Sequence, residues 1–203
     1  FEICGRNQLS MARQRSSRAH EQVIEAAIQL FAERGIDRTS MDAIAEASGV
    51  SKATIYKHWA DKEALVLEVM VRISGLKERP VFDSGNFRND LIAVLSYRPR
   101  EGRDERAQQI MPHLIAYSAH NQKFGQTWRE TVMEPPRREI KQILKRAKDN
   151  GELAGDLDLE FSPALLLGPM LYNKIFGSSN STDNKKLARR VVESFWRSFA
   201  RKT

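Results

Sequence analysis

Between Ser51 and Lys62 the chain gathers Ser51, Lys52, Thr54, Tyr56, Lys57, His58 and Lys62, a dense run of hydroxyl, ammonium and imidazole groups. Each donates hydrogen bonds, and the mixture suits phosphate oxygens and base edges rather than bond making. Covalent chemistry needs arrangements this sequence lacks. It has no glycine-rich phosphate loop, no nucleophile elbow and no His-Glu-x-x-His, and its four histidines, His20, His58, His113 and His120, are not spaced as ligands. His113 and His120 share a helix face without a convincingly placed carboxylate, so neither a metal nor a cofactor is expected, and no enzymatic activity.

Composition points the same way. Lysine and arginine number 33 against 26 acidic residues in 203, a net charge of +7 that favours acidic partners, nucleic acid first. The single cysteine, Cys4, excludes an intramolecular disulfide framework and suits a reducing cytoplasm. The longest apolar runs, such as that at 164–167, stop at Gly168 and Pro169, too short to span a membrane. Glu2, Arg6 and Asn7 interrupt what would be a signal peptide's apolar segment, and Met11 opens an ordinary-looking start. Residues 1–16 are therefore expected to be a disordered or added arm, with Arg13, Arg15 and nearby Arg18 as a basic cluster able to touch DNA.

Helices must position these groups, because apolar residues recur at three-and-four spacing and alternation is nearly absent. An all-α chain of about nine helices is expected. The first covers 17–34, with Val23, Ala26, Ala27, Leu30 and Phe31 on one face and Gly35 as its stop. The second follows Thr39 or Ser40 and ends at Ser48-Gly49, the third has Ser51 as N-cap, and Asp61 caps a fourth over 62–76. Pro80 and Gly85 mark a connection, giving a helix-turn-helix domain at 17–76 and a second domain at 77–203. Beyond it helices are expected at 86–97, 104–120, 122–150, 162–176 and 183–201, with a kink near Glu134 from Pro135-Pro136 and a mobile loop at 177–184.

Ile44, Ala45, Val50 and Ile55 are small or apolar where two short helices must cross, and Gly49 stands where a left-handed turn is cheapest. The run from Phe31-Ala32-Glu33-Arg34-Gly35 through Thr39-Ser40-Met41-Asp42-Ala43-Ile44-Ala45 to Gly49-Val50-Ser51-Lys52-Ala53-Thr54-Ile55-Tyr56-Lys57-His58-Trp59 and Lys62-Glu63-Ala64-Leu65 resembles the TetR/AcrR family of bacterial transcription regulators. The family usually has phenylalanine where Trp59 stands and often glycine or proline where Ala53 stands. The resemblance implies a homodimer that binds double-stranded operator DNA and is released by a small-molecule effector, most members being repressors. Carried over, Thr54, Tyr56, Lys57 and His58 look toward DNA, Ser40, Ser51, Lys52 and Lys62 face phosphates, and Ile55 and Trp59 are core.

The C-terminal half resembles the family less specifically, in a subtype whose last two helices pair across the dimer. Leu165, Met170, Leu171, Ile175 and Phe176 on one helix and Leu187, Val191, Val192, Phe195, Trp196 and Phe199 on the other are too many for one inward face, which agrees. Leu165, Met170, Phe176, Val191, Phe195 and Phe199 are the interface candidates. Met111, His113, Leu114, Tyr117, Phe124, Trp128, Met133, Met170 and Tyr172 are candidates for an effector cavity, and their aromatic and thioether character points to an apolar or aromatic ligand. Two rivals stand beside this reading: a DNA-binding regulator without a ligand, and a small-molecule carrier or enzyme with a vestigial helix-turn-helix.

Overall fold

The structure, a computed structural model, describes residues 3–99, 103–176 and 181–201, with side chains at 14–99, 106–176 and 184–201. Its described residues are helical, with no strand and a single antiparallel bridge between Leu153 and Ala200. The helices are α1 (Ile3–Arg34), α2 (Met41–Ser48), α3 (Lys52–His58), α4 (Lys62–Ser74), α5 (Phe87–Ser96), α6 (Arg103–His120), α7 (Gln122–Trp128), α8 (Glu134–Asp149), α9 (Ser162–Phe176) and α10 (Ser181–Phe199). None of them is long and apolar enough to cross a membrane. Of the loop expected at 177–184, residues 177–180 lie outside the described residues and 181–184 open α10.

The chain divides into two compact units, Phe1–Ile73 with Gly102–Gly125, and Ser74–Glu101 with Gln126–Thr203. The first therefore takes in α6, which sequence reasoning assigns to the C-terminal domain. Residues Ala107, Ile110, Leu114 and Tyr117 recur at helical spacing, and all four are buried while α6 packs on α1. Such a stripe shows that α6 has a core to join but not which one. Another difference lies at the N-terminus, where α1 begins at Ile3 and runs through the segment expected to be a disordered or added arm. Residues 3–16 hold no proline and a single glycine, so nothing in that segment forbids the helix.

In the first unit the face expected on α1 is buried throughout: Val23, Ala26, Ala27, Leu30 and Phe31 are all at or below 8% exposure. α2 adds Met41 and Ile44, α3 adds Ile55, and α4 adds Leu65, Val66, Val69, Met70 and Ile73. Polar links bind the frame: Arg72 of α4 pairs with Glu21 of α1, and Asn121 donates to Glu63.

In the second unit α5, α8, α9 and α10 surround one core that includes Leu91, Ile92, Leu95, Ile140, Ile143, Leu144, Leu166, Val192, Phe195 and Trp196. Buried Asp90 accepts the Ser84 N–H at 2.9 Å and pins the turn before α5. The long helix expected over 122–150, with a kink or a break near Glu134, stays helical there but changes its winding ahead of Pro135-Pro136. α7 runs into a π-helical turn at Arg129–Met133 before α8 begins. A proline ring collides with the carbonyl four residues back, and a wider turn there relieves the collision.

Candidate nucleic-acid interface

Local caps place α3. Ser40 Oγ accepts the Ala43 N–H at 3.1 Å and starts α2. Gly49 ends α2 at φ 66°, a left-handed conformation that a side chain would strain, and its N–H returns to Glu46 O at 3.3 Å. Two residues later Ser51 Oγ accepts from Thr54 N at 3.3 Å and lies 2.9 Å from Thr54 Oγ1, starting α3. The short turn leaves α3 anchored through Ile55, 1% exposed, and closed by Trp59, 2% exposed, whose N–H donates to Ile55 O at 2.9 Å.

With Ile55 facing inward, the other side of α3 is free. Tyr56 is 49% exposed, a high value for an aromatic ring, and Lys52, Lys57 and His58 are exposed beside it. Thr54 is half-buried. Lys52 Nζ lies 2.6 Å from Asp42 Oδ1 on α2, an exposed pair that a phosphate can displace at little cost. His58 Nε2 lies 3.2 Å from Ser16 Oγ, and its ring meets His20 edge-on at 5.5 Å, so this residue joins the outward face to α1.

Lys62 has a different setting from the phosphate-facing one expected. Its ammonium donates to Ile36 O at 3.0 Å and Thr39 O at 3.3 Å and lies 5.5 Å from the centroid of the Tyr117 ring. It thereby closes the carbonyls of the α1–α2 turn. The carbonyls and ring that attract it come from distant sequence positions, so its spacing alone could not show this. Burial raises the Tyr117 phenol pKa, and the Glu63 carboxylate adds to the effect.

The effector candidates fall in both units. In the first unit Leu114, Tyr117 and Phe124 are buried, with the Tyr117 and Phe124 rings edge-to-face at 5.1 Å, whereas Met111 is half-buried and His113 exposed. His113 closes over Gly35, where an added Cβ would stand 2.9 Å from Nδ1. In the second unit Trp128, Met133 and Met170 are half-buried. Trp128 Nε1 is buried without a hydrogen-bond partner. Tyr172 is 68% exposed, its ring 5.2 Å from that of Phe176, so it stands on the outer side of α9.

Of the interface candidates, Leu165 and Phe176 are exposed, the latter at 71%. Met170, Val191 and Phe199 are half-buried against the core, and Phe195 belongs to that core while also lining a groove with Leu165, Pro169, Leu187, Val191 and Phe199. Sequence reasoning missed Phe161, exposed at 59%, which extends the apolar stripe of α9. It also missed Glu68 and His20 behind α3. The sequence signalled that a core tryptophan wants an acceptor for its indole N–H, but not which residue supplies it. Among the described residues no group of three His, Cys, Asp or Glu side chains could hold a metal ion.

Comparison with known proteins fits this geometry. The family profile "Bacterial regulatory proteins, tetR family" matches residues 23–69, and the profile "Tetracyclin repressor-like, C-terminal domain" matches 81–196. The HTH-type transcriptional regulator YdeS of Bacillus subtilis (strain 168) is 29% identical over 177 residues, covering 87% of this chain and 88% of its own. The DNA-binding transcriptional repressor TetR of Mycobacteroides abscessus is 29% identical over 136 residues, with coverages of 67% and 71%. A crystal structure from Mesorhizobium loti assigned to TetR-family transcriptional regulators superposes with a TM-score of 0.63 at 26% identity, covering 92% of this chain and 99% of that one.

Proposed function

The chain belongs to the tetR family of bacterial regulatory proteins, transcriptional regulators rather than enzymes, and from that premise we propose that it is a dimeric, effector-released repressor. α3 enters the major groove of a pseudo-palindromic operator. Tyr56, Lys57 and Thr54 meet base edges and nearby phosphates, His58 meets the backbone, and Ser40, Ser51 and Lys52 hold phosphates around them. The observation that carries this is the division of α3 itself, with Ile55 buried and Tyr56, Lys57 and His58 turned outward from it.

Dimerisation uses the apolar side of α9 with α10. Phe161, Leu165, Tyr172 and Phe176 are exposed at 38% or more, a stripe of large apolar side chains that water solvates poorly. A two-fold pair sets two recognition helices about 34–36 Å apart, one turn of DNA, so two half-sites are read at once. Release follows when an apolar or aromatic effector prefers the state that does not bind operator, lowering operator affinity by the ratio of its affinities for the two states. Trp128 supports this part. A buried donor without a partner costs about 1–3 kcal/mol, and a ligand acceptor would recover that cost.

The test is binding of the purified protein to DNA from around its own gene, against a scrambled duplex at about 0.15 M salt, where weak nonspecific binding is suppressed. The expected result is a footprint of two half-sites, lost on addition of an aromatic compound selected by thermal shift. Sequence-blind binding would overturn the operator reading. A footprint that survives every compound stabilising the protein would make it a regulator without an effector.

A further inference from the structure

α3 has seven residues, and Ile55 is its one buried side chain. Apolar burial is non-directional, so a single such anchor holds a short helix in place without fixing its rotation about its own axis. Rotation matters here because it decides which of Tyr56, Lys57 and His58 faces outward. The links from Lys52 to Asp42 and from His58 to Ser16 are exposed and weak, so a better-shielded directional bond at the end of the helix would supply the firmer constraint.

Trp59 carries that bond. It is buried, and its backbone N–H is tied to Ile55 O, so the indole is joined directly to the last turn of α3. Its Nε1 donates to Glu68 Oε2 of α4 at 2.7 Å. The other oxygen of that carboxylate lies 2.9 Å from His20 Nε2 of α1. The His20 ring stacks on the indole, centroids 4.8 Å apart and planes at 27°, and meets the His58 ring edge-on at 5.5 Å, the His58 ring lying equally far from that of Trp59. One carboxylate thus joins α1, the end of α3 and α4. Bonds to a charged acceptor are the stronger kind, and two from different helices define an orientation that either alone leaves loose.

We infer that Glu68 is a positioning residue for DNA reading: by accepting from Trp59 and His20 together it sets the rotation of the recognition helix, and so aims Tyr56, Lys57 and His58. The inference rests on the reading of α3 as the DNA-contacting helix and adds the residue that orients it. A phenylalanine at position 59 would keep an aromatic ring in most of that core space but would offer Glu68 no donor.

The experiment uses the full chain and a duplex enriched by the wild-type protein from a random library, with a scrambled duplex as reference. Glu68→Gln keeps the side-chain volume but replaces one acceptor oxygen with an NH2 group, so it can no longer accept from both partners. Affinity for the enriched duplex should fall about tenfold, and affinity for the scrambled duplex by less than about twofold, because charge contacts tolerate a rotated helix. Trp59→Phe, which keeps an aromatic ring in the core but removes the donor, should lose the same discrimination, and adding Glu68→Gln to it should cost nothing further. Undiminished discrimination in Glu68→Gln, or an equal further loss in the Trp59→Phe background, overturns the inference. Lys57→Ala separates the two levels. If it too leaves enriched-duplex binding intact, the reading of α3 has failed; if it weakens that binding while Glu68→Gln changes nothing, only the inference has.

Discussion

α3 and α9 present their surfaces in opposite ways. α3 buries an isoleucine and exposes lysines, a tyrosine and a histidine. α9 buries Ser162 and Pro163 beside Leu166 and exposes Leu165, Leu171, Tyr172 and Phe176. The Ser162 hydroxyl is satisfied by Asp158 O at 2.5 Å, so the inverted burial leaves that group paired. The contrast shows that exposed polarity is stable in water and becomes an interface only when a charged partner arrives. Exposed aromatic surface is costly in water and favours a permanent partner.

The largest expected effect attacks the apolar side of this contrast. Tyr172→Asp with Phe176→Asp should turn the dimer into a monomer in sedimentation equilibrium and cut operator affinity by about a hundredfold or more, since two linked half-sites become two separate ones. Thermal stability of the monomer should change little, because both side chains are already outside its core. A persisting dimer would place the interface elsewhere. On the polar side, Lys57→Ala should weaken operator binding by about 1–3 kcal/mol and relax sequence preference at one base position in each half-site, read by competition with point-substituted duplexes.

A finer test compares two lysines that look alike in sequence. Lys62→Ala removes two carbonyl partners and should lower stability by about 1–3 kcal/mol in denaturant unfolding, with the salt dependence of DNA binding unchanged. Lys52→Ala should leave stability within about 0.5 kcal/mol and reduce the slope of log affinity against log salt by about one. Interchanged results would return Lys62 to the phosphate-facing role and make Lys52 structural. The smallest effect concerns Asp158, whose pKa is lowered because the Phe161 and Glu160 backbone N–H groups bond to its carboxylate ahead of α9. A folded pKa below the unfolded value stabilises above about pH 4 and is lost as pH falls through the folded value. Asp158→Asn, which resembles the protonated acid, should lower stability slightly at neutral pH and match wild type in acid, so that its stability varies less with pH through about pH 4.

Much of the DNA-binding motif was legible because its signals are local. Ser40, Gly49 and Ser51 act on backbone groups within three residues, and Asp61 Oδ1 accepts the Ala64 N–H at 2.8 Å at the start of α4. The α1 face needed only helical spacing. Residues whose partners are far along the chain were harder to read. Lys62 meets carbonyls 26 and 23 positions away, and Tyr172 has the composition of a pocket residue but stands on the outside of its helix. Phe195 lies between the two cases, since its apolar character could be read and its double place, in the core and on the groove, could not.

The sequence by itself determined the helices, the caps that set α2 against α3, the change of winding before Pro135 and the outward chemistry of the recognition helix. Each follows from backbone hydrogen bonding and the 3.6-residue period, which act within one or two turns. Tertiary structure alone decided that α6 joins the N-terminal unit, that Lys62 turns inward, and that Glu68 holds Trp59 and His20 together. Those outcomes depend on which distant apolar faces and buried polar groups find one another, and burial rewards any sufficient partner while a hydrogen bond selects a particular one.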